Sequence, residues 1–419
     1  MKPRRVLHIT SQHDGGVAVI LDQLVRRLNR KIYEPIVAFD TPWQSNIRKK
    51  LAESGIKTID LKKCSQEQAS YPSKTRKRRD VGSWIKSHLG EIACEIYLSL
   101  KFSLEFLVRE VPKIKTFLHI IKENNIDLIH THRNLHYGKS EIIAARISGV
   151  PCITHNHAYP RYTFFDRIFS KFVASFIYIS KDIAEQYIIQ GEPRAKGIII
   201  HNGVDISKFE QQYDVALVRR QFKAQPGEIL VGLIGRIDWW KGQNYFIEAM
   251  AEVARTVPDL KGLIVGEIYI DPEGRNQHYL NGLRSLVKSK GLDDKIIFTG
   301  FRDDIPRLIS SLDVVVHASS EPEPFGLVVI EGMAAGKPTI GTSAGGVLDI
   351  IDDGVNGLLV PCKDSKAMAQ AILKIISNKE WAEQIGFAAR RCVEQIFTIQ
   401  RQVTAVQNLY DTILDVARC

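Results

Sequence analysis

The chain has 419 residues, 44% of them hydrophobic and 25% charged, with a net charge of +10. This is the composition of an ordinary globular protein, long enough for two or three domains with ample core. Its six cysteines, at 64, 94, 152, 362, 392 and 419, form no C-x-x-C pair and no metal-ligand spacing, which excludes a disulfide framework and reads as reduced thiols.

The first ten residues carry positive charge but lead into a polar stretch, without a signal-peptide apolar core. The most apolar window, Ile92 to Val108, contains Glu95, Lys101 and Glu105, so no membrane span is expected. Location in the cytoplasm follows as the expectation. The charge is uneven: residues 1–125 hold 24 of the 57 Lys and Arg but 13 of the 47 acids, and the remainder is nearly neutral.

In chain order, Arg5 to Thr10 is expected as a strand, Ser11 to Gly16 as a glycine-containing loop and Val17 to Arg30 as an amphipathic helix. Strand Tyr33 to Phe39, helix Gln44 to Ser54 and strand Lys57 to Leu61 continue the alternation of a parallel α/β sheet. Residues 62–112 interrupt it with the basic run Lys74-Thr-Arg-Lys-Arg-Arg79 and an amphipathic helical pattern from Trp84 to Val108. Two readings of 74–108 stay open: a segment lying on an anionic membrane surface, or a charged loop and a helix packed on the sheet.

The alternation resumes with helix Lys113 to Asn124, strand Asp127 to His132, helix Lys139 to Ser148 and strand Pro151 to His155. Helix Thr163 to Phe172, strand Ser175 to Ile179, helix Lys181 to Gln190 and strand Gly197 to Ile200 follow. After a turn signal at His201 to Phe209, a second alternation has strands Ile229 to Ile234, Leu260 to Val265, Lys295 to Phe298, Val314 to His317, Thr339 to Gly341 and Gly357 to Val360. Three helical patterns run from Ser365 to the end. The expected domains are 1–205, with the insertion 62–112, and 206–397, with 398–419 as a final helix.

Two stretches of the second half suit anionic and polyhydroxylated ligands. Gly235-Arg236 and Lys241-Gly242 put two cations on one strand-to-helix loop, a compact site for a diphosphate. Glu323-Pro-Phe-Gly326 opens a helix containing Glu331, so two carboxylates bracket a helix N-terminus whose amides lack partners.

These stretches occur with Asn202-Gly-Val-Asp205 and Phe209, Phe298-Thr-Gly-Phe301, Ala335-Gly-Lys-Pro338, Gly345-Gly346 and Asp353 to Val360, in the order seen in glycosyltransferase family 4. The chain resembles a retaining member of that family, and the resemblance is dense from 198 to 380. It implies an α/β GT-B fold: two Rossmann-like doubly wound domains facing a central cleft, with a C-terminal helix crossing back to the first domain. The implied reaction moves a sugar from a UDP- or GDP-linked donor to a hydroxyl of a glycan or lipid-linked acceptor, in cell-envelope or polysaccharide biosynthesis. Competing readings are a nucleotide-sugar epimerase of the same fold and a non-catalytic nucleotide-sugar-binding partner.

By the same resemblance, Arg236 and Lys241 neutralise the donor diphosphate, Glu323 binds a hydroxyl of the donor sugar and Glu331 binds the ribose. The amides near Phe325, Gly326 and Leu327 face sugar and phosphate, Thr299 and Gly300 lie near the nucleobase, and Gly15 and Gly16 let the backbone approach phosphates and acceptor. His155 matches a histidine beside the donor sugar, and His130 and His132 are acceptor-side candidates. No cofactor, no metal site and no nucleic-acid partner are expected. The chain departs from the family pattern at Asn156, where Asp is frequent, at Asp349, where Glu is common, and at the less glycine-rich loop Asp14-Gly15-Gly16.

Overall fold

The computed structural model describes residues 2–11, 15–40, 46–61, 110–160, 162–269 and 274–416. The basic run and the helical pattern expected within 74–108 lie outside the described residues. The chain divides into two units, one of residues 1–177, 186–198 and 407–419, the other of 178–185 and 199–406.

The first sheet has seven strands: β1 (Arg4–Thr10), β2 (Tyr33–Phe39), β3 (Lys57–Asp60), β4 (Leu128–Thr131), β5 (Cys152–Asn156), β6 (Ser175–Tyr178) and β7 (Gly197–Ile199). Their order is β3-β2-β1-β4-β5-β6-β7, and β3 through β5 pair in parallel. Among the described residues six helices accompany them: α1 (Gly16–Arg27), α2 (Asn46–Glu53), α3 (Val111–Asn124), α4 (Lys139–Ser148), α5 (Phe164–Phe169) and α6 (Lys181–Ile189). In α1, Ile20, Leu21, Leu24 and Val25 are buried, the stripe a 3.6-residue period directs to one side. The helix expected over 163–172 is shorter: a capping box between Thr163 and Asp166 starts α5, which gives way to a 3-10 turn at Ser170–Phe172.

The second sheet has six parallel strands: β8 (Ile229–Ile234), β9 (Leu260–Val265), β10 (Ile296–Gly300), β11 (Val314–Val316), β12 (Thr339–Thr342) and β13 (Leu358–Val360). The order is β10-β9-β8-β11-β12-β13. Around it lie α7 (Val215–Gln221), α8 (Gln243–Ala254), α9 (Arg275–Ser289), α10 (Ile305–Ser310), α11 (Leu327–Ala334), α12 (Ser365–Ser377) and α13 (Lys379–Ile396), before the final α14 (Ile399–Val416). From Gln407 onward α14 belongs to the first unit, where Tyr33 and Asp411 are hydrogen-bonded and Arg4 pairs with Asp415.

Strands of the second sheet are almost continuously apolar because both faces are covered. On one face Phe246, Ile247 and Met250 of α8 and Ile372 of α12 pack with Leu233, Ile264 and Val316; on the other Val218, Phe222, Leu308 and Leu312 pack with Leu230 and Val315. Phe246 is fully buried at the start of the helix that follows the cationic loop. Phe246→Ala should therefore cost about 3–5 kcal/mol of stability, read by urea denaturation, with the loss confined to the transition of the second unit if the two units unfold separately.

Candidate functional site

Loops at the carboxyl ends of strands diverge where the strand order reverses, and the crevice so formed is where open α/β sheets bind ligands. In the second sheet that point lies between β8 and β11. The loop after β8 runs Gly235 to Gly242, and the loop after β11 runs His317 to Gly326. The amide of Ser320 donates to the Trp240 carbonyl at 2.8 Å, tying the two together. Gly242 has φ 69° and lies so close to the second loop that a Cβ there would fall 1.9 Å from the Ala318 carbonyl oxygen, which is why only glycine fits.

Glu323 is the meeting point of these loops. Its Oε2 accepts from Lys241 Nζ at 2.7 Å and from Ser319 Oγ at 2.9 Å, and lies 3.3 Å from His317 Nε2. His317 Nδ1 faces the Thr342 hydroxyl at 3.3 Å and the Thr342 amide at 3.5 Å; accepting there leaves the proton on Nε2, aimed at the carboxylate. Glu323 is only 9% exposed. Burial alone would raise its pKa, but Lys241 and His317 outweigh burial and hold the carboxyl well below the usual range. Lys241 also sits 4.0 Å from the centre of the Trp240 ring.

The two cations expected on one loop are thus held differently. Lys241 is engaged with Glu323, whereas the Arg236 side chain is 51% exposed and reaches Asp238 at 3.2 Å. Pro324 to Gly326 leads into α11, with Phe325 buried and Gly326 at φ 106° offering no capping side chain, so Leu327 begins the helix with uncapped amides. Glu331 of α11 is part-buried, and desolvation, partly offset by Lys208, pushes its pKa up to about 7. The two glutamates of this stretch are therefore opposites: one ionised and tied, the other near its titration point. Thr299 and Gly300 end the edge strand β10, which runs two residues beyond the expected end at Phe298. Asp349 pairs with His201 at 3.1 Å.

In the first unit, Gly15 (φ 83°) and Gly16 form the entry to α1. His155 lies at the end of β5 in a stack that sequence spacing did not reveal. His8 of β1 is in register with His130 of β4, and His132, His155 and His157 complete the cluster, all five at most 9% exposed. Adjacent ring centres are 4.3 Å apart for His130 and His132 and 4.1 Å for His155 and His157. Burial pushes His8 and His157 down to about 3 and the other three well below the ordinary imidazole range, so the rings are neutral. Sequence reasoning singled out three of these rings and missed His8 and His157; it likewise missed Ser319 and the role of His317 as a partner of Glu323. For His157 and His317 the available signal was a polar residue just past an apolar strand; His8 lies inside β1 and Ser319 three residues beyond β11.

Among the described residues no helix is long and apolar enough to cross a membrane. The model of glycosyltransferase family 4 matches residues 14–208, and that of glycosyl transferases group 1 matches residues 214–391. The chain is 29% identical over 250 residues to the putative glycosyltransferase YtcC of Bacillus subtilis, covering 57% of this chain and 61% of that protein. It is 26% identical over 219 residues to the lipopolysaccharide core biosynthesis mannosyltransferase LpsB of Rhizobium meliloti, covering 52% and 61%. The match thus spans about 60% of the length of these curated relatives. Over 98% of this chain and 100% of the other, the fold matches Anabaena Alr3699/HepE, solved with UDP and glucose, at a TM-score of 0.78 and 21% identity. The lipopolysaccharide outer core galactosyltransferase WaaB matches at 0.66 and 15% identity over 97% and 99%. With the two family models together accounting for nearly the whole chain, and two parallel-sheet Rossmann-like units carrying the motifs at their strand ends, the protein belongs to the group 1 glycosyltransferases of family 4 and has the GT-B fold.

Proposed function

We propose that the chain transfers a sugar, with retention of anomeric configuration, from a nucleotide-diphosphate sugar to a hydroxyl of a glycan or lipid-linked acceptor. The observation that carries this reading is the part-buried Lys241–Glu323 pair, backed by His317 and Ser319, at the strand-order reversal of the second sheet and beside the uncapped start of α11. A carboxylate held ionised in a poorly solvated place is a strong acceptor for a sugar hydroxyl. The half-exposed Arg236 and the ammonium of Lys241 suit the diphosphate, and their fixed charges favour the state in which negative charge builds on the leaving oxygen. This division of labour needs no metal at the diphosphate.

In the proposed step the acceptor oxygen attacks the anomeric carbon on the face from which the diphosphate leaves, the bond to the diphosphate oxygen breaks, and that oxygen takes the acceptor proton. Glu323 orients the sugar and does not form a bond to it. Glu331 accepts from the ribose hydroxyls, the amides at Phe325, Gly326 and Leu327 face sugar and phosphate, and Thr299 and Gly300 flank the base. Gly15, Gly16 and His155 serve from the first unit. UDP-glucose is the first donor to test, because the same fold has been solved with UDP, and the names of the relatives direct the acceptor search to cell-envelope glycans. Association with a membrane through 74–108 belongs to the same proposal and is scored by co-sedimentation with anionic vesicles.

With a radiolabelled donor and its acceptor, Lys241→Ala and Glu323→Ala should each lower turnover by about two to three orders of magnitude while circular dichroism stays unchanged. Near-normal turnover in either variant overturns the assigned roles; conversion of donor to an epimer without acceptor overturns transfer.

Glu331 adds a pH dependence whose sign is set by its raised pKa. Below about 7 it is neutral, and above it becomes a carboxylate, a better acceptor for ribose hydroxyls, so donor affinity should tighten as pH rises through about 7. In the free protein the effect is opposite: the unfolded chain loses this proton first, so wild type should lose thermal stability relative to Glu331→Gln as pH rises from the ordinary carboxylate range through about 7. Calorimetric titration of UDP and thermal melts of both proteins across that range check the pair of expectations, and parallel pH profiles would refute them.

A further inference from the structure

The histidine stack of the first unit gathers enough ring nitrogens to hold a metal ion. Two trios, His8, His130 and His132, and His132, His155 and His157, each bring one ring nitrogen per residue within 4.8 Å of the other two. His132 Nδ1 and His157 Nε2 are 3.1 Å apart, His8 Nδ1 and His132 Nε2 3.2 Å, and His130 Nε2 and His155 Nδ1 3.3 Å. Two imidazole nitrogens bound at about 2.0–2.1 Å to one tetrahedral ion are themselves about 3.3–3.4 Å apart; the His132–His157 pair is close to that spacing, and His155 brings a ring nitrogen within 4.8 Å of both. The stack lies at the carboxyl ends of β1, β4 and β5, and the strand order reverses between β1 and β4, where such sheets bind ligands.

One assignment of tautomers leaves lone pairs free for an ion. His130 Nδ1 reaches the Tyr410 hydroxyl at 2.5 Å and its Nε2 faces His155 Nδ1. If His155 donates through Nδ1, its buried Nε2, which has no hydrogen-bond partner, carries a free lone pair. In the same way, donation from His132 Nε2 to His8 Nδ1 leaves His132 Nδ1 as a lone pair facing His157 Nε2. The inner rings, His8 and His130, then stand to the outer ones as the outer-shell partners of metal-bound histidines usually do, fixing tautomer and ring orientation. His8 and His130 are fully buried, whereas His132 and His157 keep 5% and 9% exposure and so lie on the side of the stack nearer the surface.

We propose that His132, His155 and His157 bind one divalent first-row cation of borderline softness, Zn2+ or in its place Co2+ or Ni2+. Three neutral imidazoles and an open position form the donor set these ions take up. This departs from the expectation of no metal site, which came from the family resemblance and agreed with the absence of ligand spacing; the ligands come from the ends of two strands, which spacing along the chain does not reveal. The inference uses the first unit alone and is independent of the transferase reading, although it places His155 in both.

The test uses full-length protein without a histidine tag, stripped with chelator, freed of it, and titrated with Zn2+ and separately with Co2+. The expected result is one ion per chain by elemental analysis, the intense visible absorption of four-coordinate Co2+, and at least about tenfold weaker binding in His157→Ala. His278→Ala, at an exposed histidine outside the cluster, should bind as wild type does. If His157→Ala proves misfolded by circular dichroism, His157→Gln takes its place with the same expectation. Failure to retain an ion, or undiminished binding in the folded His157 variant, overturns the proposal and leaves the rings as a hydrogen-bonded stack. UDP binding measured on the same samples separates the two readings: lost UDP binding with the ion retained counts against the transferase assignment only, and the reverse against the metal site only.

Discussion

A buried carboxylate is costly unless donors and opposite charge offset its desolvation, and Glu323 finds them at Oε2 only because two loops converge on it. Lys241 arrives from the loop after β8, His317 and Ser319 from the loop after β11, and Thr342 at the end of β12 sets the proton on His317. This convergence in turn demands that the backbone at Gly242 lie against Ala318, a contact no side chain would permit. The pair therefore constrains the strand order, the loop path and one glycine together. Removing either partner would leave the other charge poorly solvated and unmatched, so the site and the local fold are energetically the same object.

The helix that follows shows how one short stretch prepares two different carboxylates. Glu323, before α11, is surrounded by donors and stays ionised; Glu331, within it, meets chiefly desolvation and sits near neutrality. The residue type is identical, and the difference lies in what stands within a few ångströms of each. A ligand that brings hydroxyls to Glu331 would supply donors that its carboxyl lacks in the free protein, whereas Arg236 and Lys241 already hold carboxylate partners there.

Both sheets place their chemistry at the same topological position. In the second it is an ion-paired, hydrogen-bonded cluster; in the first it is a stack of neutral imidazoles closing β1, β4 and β5. Parallel register explains the stack: His8 is opposite His130, and because Thr131 is opposite Thr154 the next pair along β4 and β5 sets His132 beside His155, so the rings accumulate into one layer.

Apolar periodicity, glycine turns and motif order let the sequence determine the two α/β alternations, nearly all strands to within a residue or two, the family, and the stretches Gly235 to Gly242 and Glu323 to Glu331. These are local properties, carried by residues within one turn or one strand of each other. Tertiary structure alone decided that Lys241 would meet Glu323 rather than stand with Arg236, that His317 and Ser319 would join them, that the two glutamates would titrate oppositely, and that His8 and His157 would share a cluster with His130, His132 and His155. Those outcomes depend on strand order and burial, which bring together side chains as far apart as His8 and His132, 124 positions distant in the chain, and spacing along a sequence carries no record of them.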